Sequence, residues 1–386
     1  MLWVSFGDNG GMTSASHSSA VAEPFEGLRI RGVAKTFGAN TTVLNEIDLD
    51  VHPGELISLV GSSGTGKSTL LRIIAGLEEP SAGRVTYAGQ PLERGSVGVV
   101  FQRPILYPHL SVKDNILFPT RLGAFAGRVD MDYYRELLEA LKLEGLESRK
   151  PSQLSGGQAQ RVGIARALIR RAPVVLFDEP LASVDEQMSA SIRADIVRLH
   201  ERYGFTGLYV THDQNEALML GQRVAVMDAG YLVQVDTPER LLAHPHTLQV
   251  AKLLAAPALN LLALEDSESL PAGCELAIRA TALCPVAADA AHALPVQVLG
   301  SRHLVGGMLY RARLLEAVSL PLESRRASAD SELSARVRAR VRAGQELEFF
   351  ISDAQGGSSL SVGEPVHLGV AAERCFLFSG GKRFYL

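Results

Sequence analysis

The chain has 386 residues, of which 46% are hydrophobic, and a formal net charge of −4 at pH 7. This length allows two or three domains with sizeable cores, and the slightly acidic balance excludes a general electrostatic affinity for nucleic acid. No apolar run reaches the roughly 18 residues needed to span a membrane. The cysteines, Cys274, Cys284 and Cys375, lack metal-ligand spacing, which favours reduced, buried thiols in a cytosolic protein.

The N-terminal residues 1–26 are predicted to lie outside the fold. The apolar start over residues 1–6 has no basic region and is too short for a signal peptide. Residues 7–24 are rich in Gly, Ser and Ala, which is typical of a disordered extension. Met12 is as good a start as Met1.

Three strands are predicted next. The alternating segment Leu28–Val33 and the segment Ile47–Val51 fit half-buried strands. The third, Glu55–Val60, is almost wholly apolar, as in the interior of a parallel sheet. It leads directly into Gly61, and the residues that follow Lys67 have the pattern of a helix.

The turn between this strand and this helix matches the phosphate-binding pattern G-x-x-x-x-G-K-S. In that pattern backbone N–H groups surround a phosphate, Lys67 supplies a cation, and the Ser68 hydroxyl can bind Mg²⁺. An ordinary glycine-rich turn with an incidental lysine is the alternative, but the flanking strand and helix are the context that the motif requires. The residues predicted to contact the nucleotide are Gly61, Ser62, Ser63, Gly64, Thr65, Gly66, Lys67, Ser68 and Thr69.

Helical and strand patterns alternate in the middle of the chain, which indicates a parallel sheet wrapped by helices. The predicted elements are helices within about 120–150, over Gly157–Arg171 and over Glu186–Tyr203, and strands over Val174–Phe177 and Leu208–Val210.

Two acidic residues, Asp178 and Glu179, end the apolar strand Val174–Phe177. Ligands bind at this edge of an open α/β sheet. Asp178 is therefore predicted to hold Mg²⁺, and Glu179 to orient and deprotonate the attacking water. A pair of helix N-caps is the alternative, but it does not explain two acids at the end of an otherwise apolar strand.

A second glycine-rich segment, Leu154–Gln158, opens a helix and has no lysine. The N–H groups and dipole of that helix form an anion site. The same S-x-x-Q spacing is also an ordinary capping box, so the segment alone is a weak signal.

After about residue 245, prolines divide short strand candidates, which suggests a small β-barrel or sandwich. The helical stretch Leu248–Leu254 is predicted to join it to the first domain. Within this region, Ser334–Ala343 alternates arginines with Val and Ala. This alternation fits the solvated side of a half-buried strand better than a basic face for phosphate or nucleic acid.

Taken together, residues 28–245 resemble the ATPase subunit of an ABC transporter. The resemblance implies a P-loop NTPase cassette of class α/β, with a parallel core sheet, an antiparallel β subdomain and a helical subdomain at about 103–170. It implies an ATPase domain over 27–245 and an OB-like β domain over 246–386. Six ordered motifs carry it: Gly61–Ser68, Gln102 after Val99–Phe101, Leu154–Gln158, Asp178–Glu179, Leu181–Asp185, and His212 after Val210–Thr211.

The resemblance also implies roles for single residues. Gln102 would contact Mg²⁺ and the attacking water, and the loop that runs from it to Val112 would contact an integral-membrane permease. His212 would hold the γ-phosphate and Glu179. Phe37 would stack on adenine; a structural phenylalanine is the alternative.

In this family two cassettes face each other, so the expected partner is a second copy or a paralogous subunit. Ser155, Gly156, Gly157 and Gln158 of one copy would then close on ATP held by the other. Asp185 would take part in dimer communication. The loop before it departs from the usual order, because Ser183 stands where the family shows alanine or asparagine.

The expected function is that of an import ATPase with ATP and Mg²⁺ as ligands. It would lie on the cytoplasmic face of the cell membrane, act indirectly with an external solute-binding protein and bind no nucleic acid. A carbohydrate cargo is weakly supported by the loop after Gln102. The alternatives are a soluble ABC-type ATPase acting on nucleic acid or ribosomes, and a regulatory ABC module. The C-terminal region is more loosely similar to the OB-like domain of importer ATPases, at Ile278–Arg279 and Gly363–Val366.

Overall fold

The computed structural model describes residues 25–38, 40–121, 129–265, 270, 273–322, 337–355, 359–370 and 374–384. The extension predicted over 1–26 lies outside the described residues except for its last two positions. The helices are α1 (Lys67–Ile74), α2 (Val112–Leu117), α3 (Met131–Ala140), α4 (Gly156–Leu168), α5 (Glu186–Tyr203), α6 (Gln214–Leu220), α7 (Pro238–Ala243) and α8 (Leu248–Leu253).

The strands of the first two sheets are β1 (Leu28–Phe37), β2 (Thr41–Val51), β3 (Leu56–Val60), β4 (Ala82–Tyr87), β5 (Gln90–Pro91), β6 (Gly98–Val100), β7 (Val174–Asp178), β8 (Thr206–Thr211), β9 (Arg223–Asp228) and β10 (Tyr231–Asp236). The later strands are β11 (Leu259–Ala263), β12 (Glu275–Arg279), β13 (Leu283–Val286), β14 (Leu294–Leu304), β15 (Gly307–Leu314), β16 (Val318–Leu322), β17 (Val337–Val341), β18 (Glu346–Ser352), β19 (Pro365–Val370), β20 (Cys375–Ser379) and β21 (Lys382–Phe384).

A six-stranded sheet in the order β10-β9-β3-β8-β7-β6 forms the centre of the first unit. All neighbours are parallel except β10, which is antiparallel to β9. Every residue of β3 and β8 is buried, because both faces of these apolar strands are covered. The prediction of a parallel α/β sheet is correct.

A four-stranded antiparallel sheet in the order β2-β1-β4-β5 covers one side of this unit. It shares a core with β3 and α1, to which Leu28, Ile47, Leu59 and Leu70 belong. The first two predicted strands are longer than the sequence pattern indicated, since β1 continues to Phe37 and β2 begins at Thr41.

On the other side, α2, α3, α4 and α5 pack around a second core that includes Ile116, Leu137, Ile164 and Ile192. The helix predicted at Gly157 begins one residue earlier and ends at Leu168. In this layer the N-terminus of α4 contacts α5.

The C-terminal unit contains the sheets β11-β12-β20-β21, β13-β19-β14-β15-β18 and β16-β17. Helix α8 joins it to the first unit, because Val250 packs with the residues of β9 while Leu248 and Ala251 pack against Phe376 and its neighbours. The β-rich character predicted for this region is therefore present in the described residues.

Two further predictions concern residues of this unit. Cys284 is exposed, so the expectation of buried thiols is wrong at this position, although Cys274 is buried. In β17, Ala339 and Val341 are buried while Arg340 is exposed and pairs with Glu265, as expected for a half-buried strand. The flanking residues Ser334 and Arg336 lie outside the described residues. None of the described helices combines the length and apolarity needed to cross a bilayer.

Candidate nucleotide-binding site

The parallel sheet places four sequence motifs along one edge. Strand β3 runs into Gly61, β7 ends at Asp178, and β8 is followed by His212. Because β3, β8 and β7 are adjacent and parallel, their carboxyl ends lie side by side. Gln102 follows β6, which is the next strand beyond β7. This is the edge where open α/β sheets bind ligands.

The loop after β3 is shaped by glycine. Gly66 precedes α1 with φ of 99° and supplies no side-chain cap, so the first N–H groups of α1 have no capping side chain. A β-carbon at Gly61 would lie 2.3 Å from the carbonyl oxygen of Met227, which excludes any larger residue there. Ser62, Ser63 and Gly64 are exposed, so this loop presents its backbone to solvent. Uncapped N–H groups at a helix start favour an anion.

Lys67 lies buried at the start of α1. Its ammonium group donates to the carbonyl oxygens of Gly61 at 2.7 Å and Ser62 at 2.9 Å. Burial lowers the pKa of Lys67, while the carboxylates of Glu179 and Asp178 act in the opposite direction. The ammonium therefore lies within electrostatic reach of both acids and is held by the loop itself.

Ser68 and Asp178 bring the loop and β7 into contact. The Ser68 hydroxyl donates to Oδ1 of Asp178 at 3.2 Å. Burial raises the pKa of Asp178, and the hydrogen bond from Ser68 partly opposes this effect. A hydroxyl and a carboxylate oxygen so close together are the hard oxygen donors that Mg²⁺ prefers, so these residues fit that ion.

Glu179 lies in a strained backbone conformation directly after β7. Its φ is 43°, in the left-handed region that non-glycine residues seldom adopt. Its N–H donates to the carbonyl oxygen of Val210 at 3.0 Å, which fixes the residue against β8. Oε2 of Glu179 lies 2.9 Å from Nδ1 of His212. A carboxylate and an imidazole from two neighbouring strands therefore form one pair.

The segment before His212 is bound by hydrogen bonds to Glu216 of α6. This carboxylate is buried and accepts hydrogen bonds from the hydroxyls of Thr211 at 2.8 Å and Tyr209 at 3.2 Å. Thr211 in turn accepts the N–H of Asp213 at 3.0 Å. Sequence reasoning missed Glu216; a carboxylate in the first turn of a short apolar helix was the available signal.

The segment that contains Gln102 is attached to α4. Gln160, which is buried, donates to the carbonyl oxygen of Phe101 at 3.2 Å. Arg166 donates to the carbonyl oxygen of Ile105 at 2.6 Å. Gln102 lies exposed between these two attachments, so a displacement of α4 would be transmitted to its position.

The loop that follows is held by one buried amide. Asn115 donates to the carbonyl oxygens of Tyr107, Leu110 and Ser111 and accepts the N–H of Tyr107 at 2.7 Å. This residue was also missed; the available signal was an asparagine in a short helix, directly before the apolar pair Ile116 and Leu117. The loop exposes Ile105 and Tyr107 beside a groove of about 570 Å³.

The segment Leu154–Gln158 forms the start of α4. Ser155 and Gln158 make a reciprocal capping box, in which the Ser155 hydroxyl accepts the N–H of Gln158 at 3.2 Å. The proton of that hydroxyl remains available to an anion. A β-carbon at Gly157 would lie 2.6 Å from the side chain of Met188, whereas one at Gly156 would meet nothing. Ser155 and Gly156 are exposed.

Asp185 is the N-cap of α5 and accepts the N–H of Met188 at 2.9 Å. Since Met188 contacts Gly157, the start of α5 and the start of α4 form one packed corner. Phe37 is 42% exposed at the end of β1, where the ammonium of Lys35 lies 4.9 Å from its ring centroid. The Phe37 side chain is thus partly open to solvent.

Not all predicted site residues meet in this chain. Hydrogen bonds join Ser68 to Asp178 and His212 to Glu179, and Lys67 lies within electrostatic reach of both acids. Among the described residues, no hydrogen bond links Gln102, Phe37 or the start of α4 to that group. The site therefore has one assembled cluster, formed by the loop after β3 and the side chains of Asp178, Glu179 and His212. Gln102, Phe37 and the start of α4 form separate exposed surfaces.

Comparison with known proteins identifies the family. The model of the family "ABC transporter" matches residues 44–182. The sn-glycerol-3-phosphate import ATP-binding protein UgpC of Salmonella typhi is 42% identical over 266 residues, which cover 66% of this chain and 74% of the relative. The chain belongs to the ATP-binding subunits of ABC transporters. The predicted family, fold class and ATPase activity are confirmed.

Two other matches agree. UgpC 1 of Rhizobium johnstonii is 45% identical over 241 residues, which cover 61% of this chain and 65% of that relative. The solved structure of cbiO1 from Clostridium perfringens, part of the ABC transporter complex cbiONQ, is 27% identical with a TM-score of 0.51; it covers 57% of this chain and 92% of that one. The chain is thus similar both to ATP-binding proteins that are named for import and to a solved ABC transporter subunit.

Proposed function

We propose that ATP is bound and hydrolysed at the edge formed by β3, β8 and β7, and that hydrolysis energises solute import through a membrane permease. The observation that carries the proposal is the pair of contacts at this edge, Ser68 with Asp178 and Glu179 with His212. They join a phosphate-binding loop to a carboxylate that can act as a base.

The loop Gly61–Thr69 would bind the phosphates through its backbone N–H groups, and Lys67 would exchange its two carbonyl partners for phosphate oxygens. Phe37 would stack on the adenine ring. Glu179 would accept a proton from the attacking water. His212 would orient Glu179 through its Nδ1 hydrogen bond and contact the γ-phosphate.

Ser68, Asp178 and Gln102 would hold Mg²⁺. When bound, the ion neutralises charge that develops on the transferred phosphoryl group. The exposed position of Gln102 allows it to approach when α4 moves.

We further propose that two copies, or this chain and a paralogous subunit, close on ATP. Ser155, Gly156, Gly157 and Gln158 of each would contact the nucleotide of the other. The exposure of Ser155 and Gly156 supports this arrangement, as does the free hydroxyl proton of Ser155. Asp185 would couple the two sites through the corner that Met188 forms with Gly157.

The permease would dock in the groove beside residues 102–112. Apolar side chains exposed on a loop are suited to receive a partner helix. Ile105 is 63% and Tyr107 39% exposed there. The protein would then lie peripherally on the cytoplasmic face of the membrane, with an external solute-binding protein acting indirectly.

The cargo is proposed to be of the carbohydrate class. The relatives named above import sn-glycerol 3-phosphate, which makes that solute the first to test. We assign the ATPase domain to residues 27–245, with its helical subdomain at about 103–170, and the linker helix and OB-like domain to 246–386.

Titration of a fluorescent ATP analogue into Lys67→Met tests the nucleotide site. Binding should weaken at least about tenfold, because a charge-assisted contact to phosphate is lost. The matched control is Lys113→Met, which removes an exposed lysine of α2 and should leave affinity unchanged. Equal affinity in the two variants would exclude the proposed role of the loop.

A transport assay tests the docking groove. Ile105→Glu should abolish ATP-dependent uptake with a co-expressed permease while leaving the basal ATPase rate of the isolated subunit intact. The control is Val305→Glu, a strongly exposed apolar residue of the C-terminal unit. Loss of uptake in both variants, or in neither, would argue against docking at this groove.

A further inference from the structure

A pocket of about 570 Å³ lies between the first unit, called the ATPase unit below, and the C-terminal unit. Its volume falls within the range of small-molecule sites. One wall comes from α6 and α7, and the other from the end of β12 and the start of β20. Its lining residues include Leu218, Leu242 and Leu254 from the ATPase side and Ala282 and Phe376 from the other.

The charge around this pocket is predominantly positive. Among the described lining residues there are two arginines, Arg279 and Arg374, and one carboxylate, that of Glu239. Arg374 is exposed, so its guanidinium is open to solvent. A third cation, Arg383, lies close by, since Arg279 and Arg383 approach the ring of Phe376 to 5.2 Å and 4.9 Å.

Arg279 is incompletely satisfied. Its Nη1 donates to the carbonyl oxygen of Leu242 at 2.6 Å, which links the two units. Its Nε and Nη2 are buried and have no hydrogen-bond partner among the described residues. The charged group that acts on it is Arg383, which has the same sign. A buried cation in these surroundings costs free energy that an anion would offset.

Burial, together with the charge of Arg383, lowers the pKa of Arg279 to about 10. The guanidinium therefore remains protonated at neutral pH. The phenyl face of Phe376 compensates part of its charge through cation–π attraction.

We propose that this pocket binds a small organic anion with one carboxylate and an apolar body. The apolar body would cover Leu218, Leu254 and Phe376. The carboxylate would pair with Arg374. Because solvent does not reach Nε and Nη2 of Arg279, that residue acts through its charge, which is poorly screened by the apolar wall.

The pocket also adjoins the catalytic edge. Gln214 and Asn215, which line it, begin the helix that directly follows His212 and Asp213. An occupant would therefore contact both the C-terminal unit and the helix that carries Glu216. The chemical class of the ligand proposed for this pocket follows from the residues that line it and does not depend on which solute is transported.

Calorimetric titration of the full chain with three probes of one shape tests the site: 3-phenylpropionate, 3-phenylpropanol and 3-phenylpropylammonium. One molecule of the carboxylate should bind per chain, at least about tenfold more tightly than the alcohol, and the ammonium should bind most weakly. A tenfold ratio of affinities is the effect expected of one partly buried charge pair. Equal affinities, or no binding of the carboxylate at about 10 mM, would overturn the proposal.

Two variants locate the binding. Arg374→Gln should weaken carboxylate binding about threefold to tenfold, and Thr281→Trp, at an exposed lining position, should abolish binding of all three probes by filling the pocket. Arg311→Gln removes an exposed arginine elsewhere in the C-terminal unit and is the control. Circular dichroism checks that each variant is folded. Binding that survives Thr281→Trp, or falls equally in Arg311→Gln, would place the anion elsewhere and refute the assignment.

Discussion

Replacing Glu216 by alanine should destabilise the ATPase unit and slow hydrolysis together. The carboxylate is 7% exposed and accepts two hydroxyl hydrogen bonds, from Thr211 and Tyr209, both of which are buried. Each hydrogen bond to a charged group contributes about 1.5–3 kcal/mol. The variant leaves both hydroxyls without an acceptor and removes the partner of Arg193, which lies 3.7 Å away.

The expected loss in free energy of unfolding is about 3–5 kcal/mol. For a unit of this size that corresponds to a fall in Tm of about 10 °C. Glu216→Gln keeps an acceptor oxygen and the side-chain volume, so its Tm should fall by roughly half as much. Thermal unfolding followed by far-UV circular dichroism measures both, with the exposed Glu201→Ala as control.

The kcat for ATP hydrolysis should fall about tenfold to hundredfold at a temperature where the variant is folded, because Thr211 no longer holds the segment of His212 in place. The affinity for ATP should change little, since Lys67 and its loop are untouched. If the Tm falls by less than about 2 °C, or if kcat is unchanged, Glu216 does not position this segment.

Three other outcomes follow from the site and its supports. Asp178→Asn should raise the Tm of the nucleotide-free protein at pH 7 and abolish the stabilisation of the protein by Mg·ATP. Burial raises the pKa of Asp178 in the folded state. The contribution of Asp178 to stability is therefore present below pH 3.8 and is lost as the pH rises through the folded pKa. Thermal melts at pH 5 and 7 measure this. Phe37→Ala should weaken ATP binding about tenfold in a fluorescence titration, and Phe37→Tyr should not. Asp195→Ala should cost about 3–5 kcal/mol in urea unfolding because it leaves the buried Arg161 without its carboxylate, and Arg161→Met combined with Asp195→Leu should recover most of the loss.

The motifs of the central sheet were predictable because each is local. The loop after β3 and the acids after β7 are adjacent to apolar strands whose order along the chain indicates a parallel sheet. The sheet order, in which β3 and β7 flank β8, brings Ser68 and Asp178 into hydrogen-bond contact; that order is seen only in the folded chain. The same locality explains why the helix over Glu186–Tyr203 was predicted with its observed bounds.

The supporting contacts were not predictable in the same way. Asn115 and Glu216 act through backbone and hydroxyl groups that only the folded chain brings together. The contact between Gly157 and Met188 depends on how α4 packs on α5. The exposure of Cys284 depends on the position of β13 in its sheet, which composition does not determine.

Glu179→Gln tests the central claim most directly, because it removes the base and retains the shape of the side chain. We expect the variant to bind Mg·ATP with wild-type affinity and to hydrolyse it at least about a hundredfold more slowly. Light scattering should then detect an ATP-dependent dimer that ADP does not produce. Hydrolysis at the wild-type rate would contradict the assignment of Glu179 as the base and, with it, the proposed mechanism.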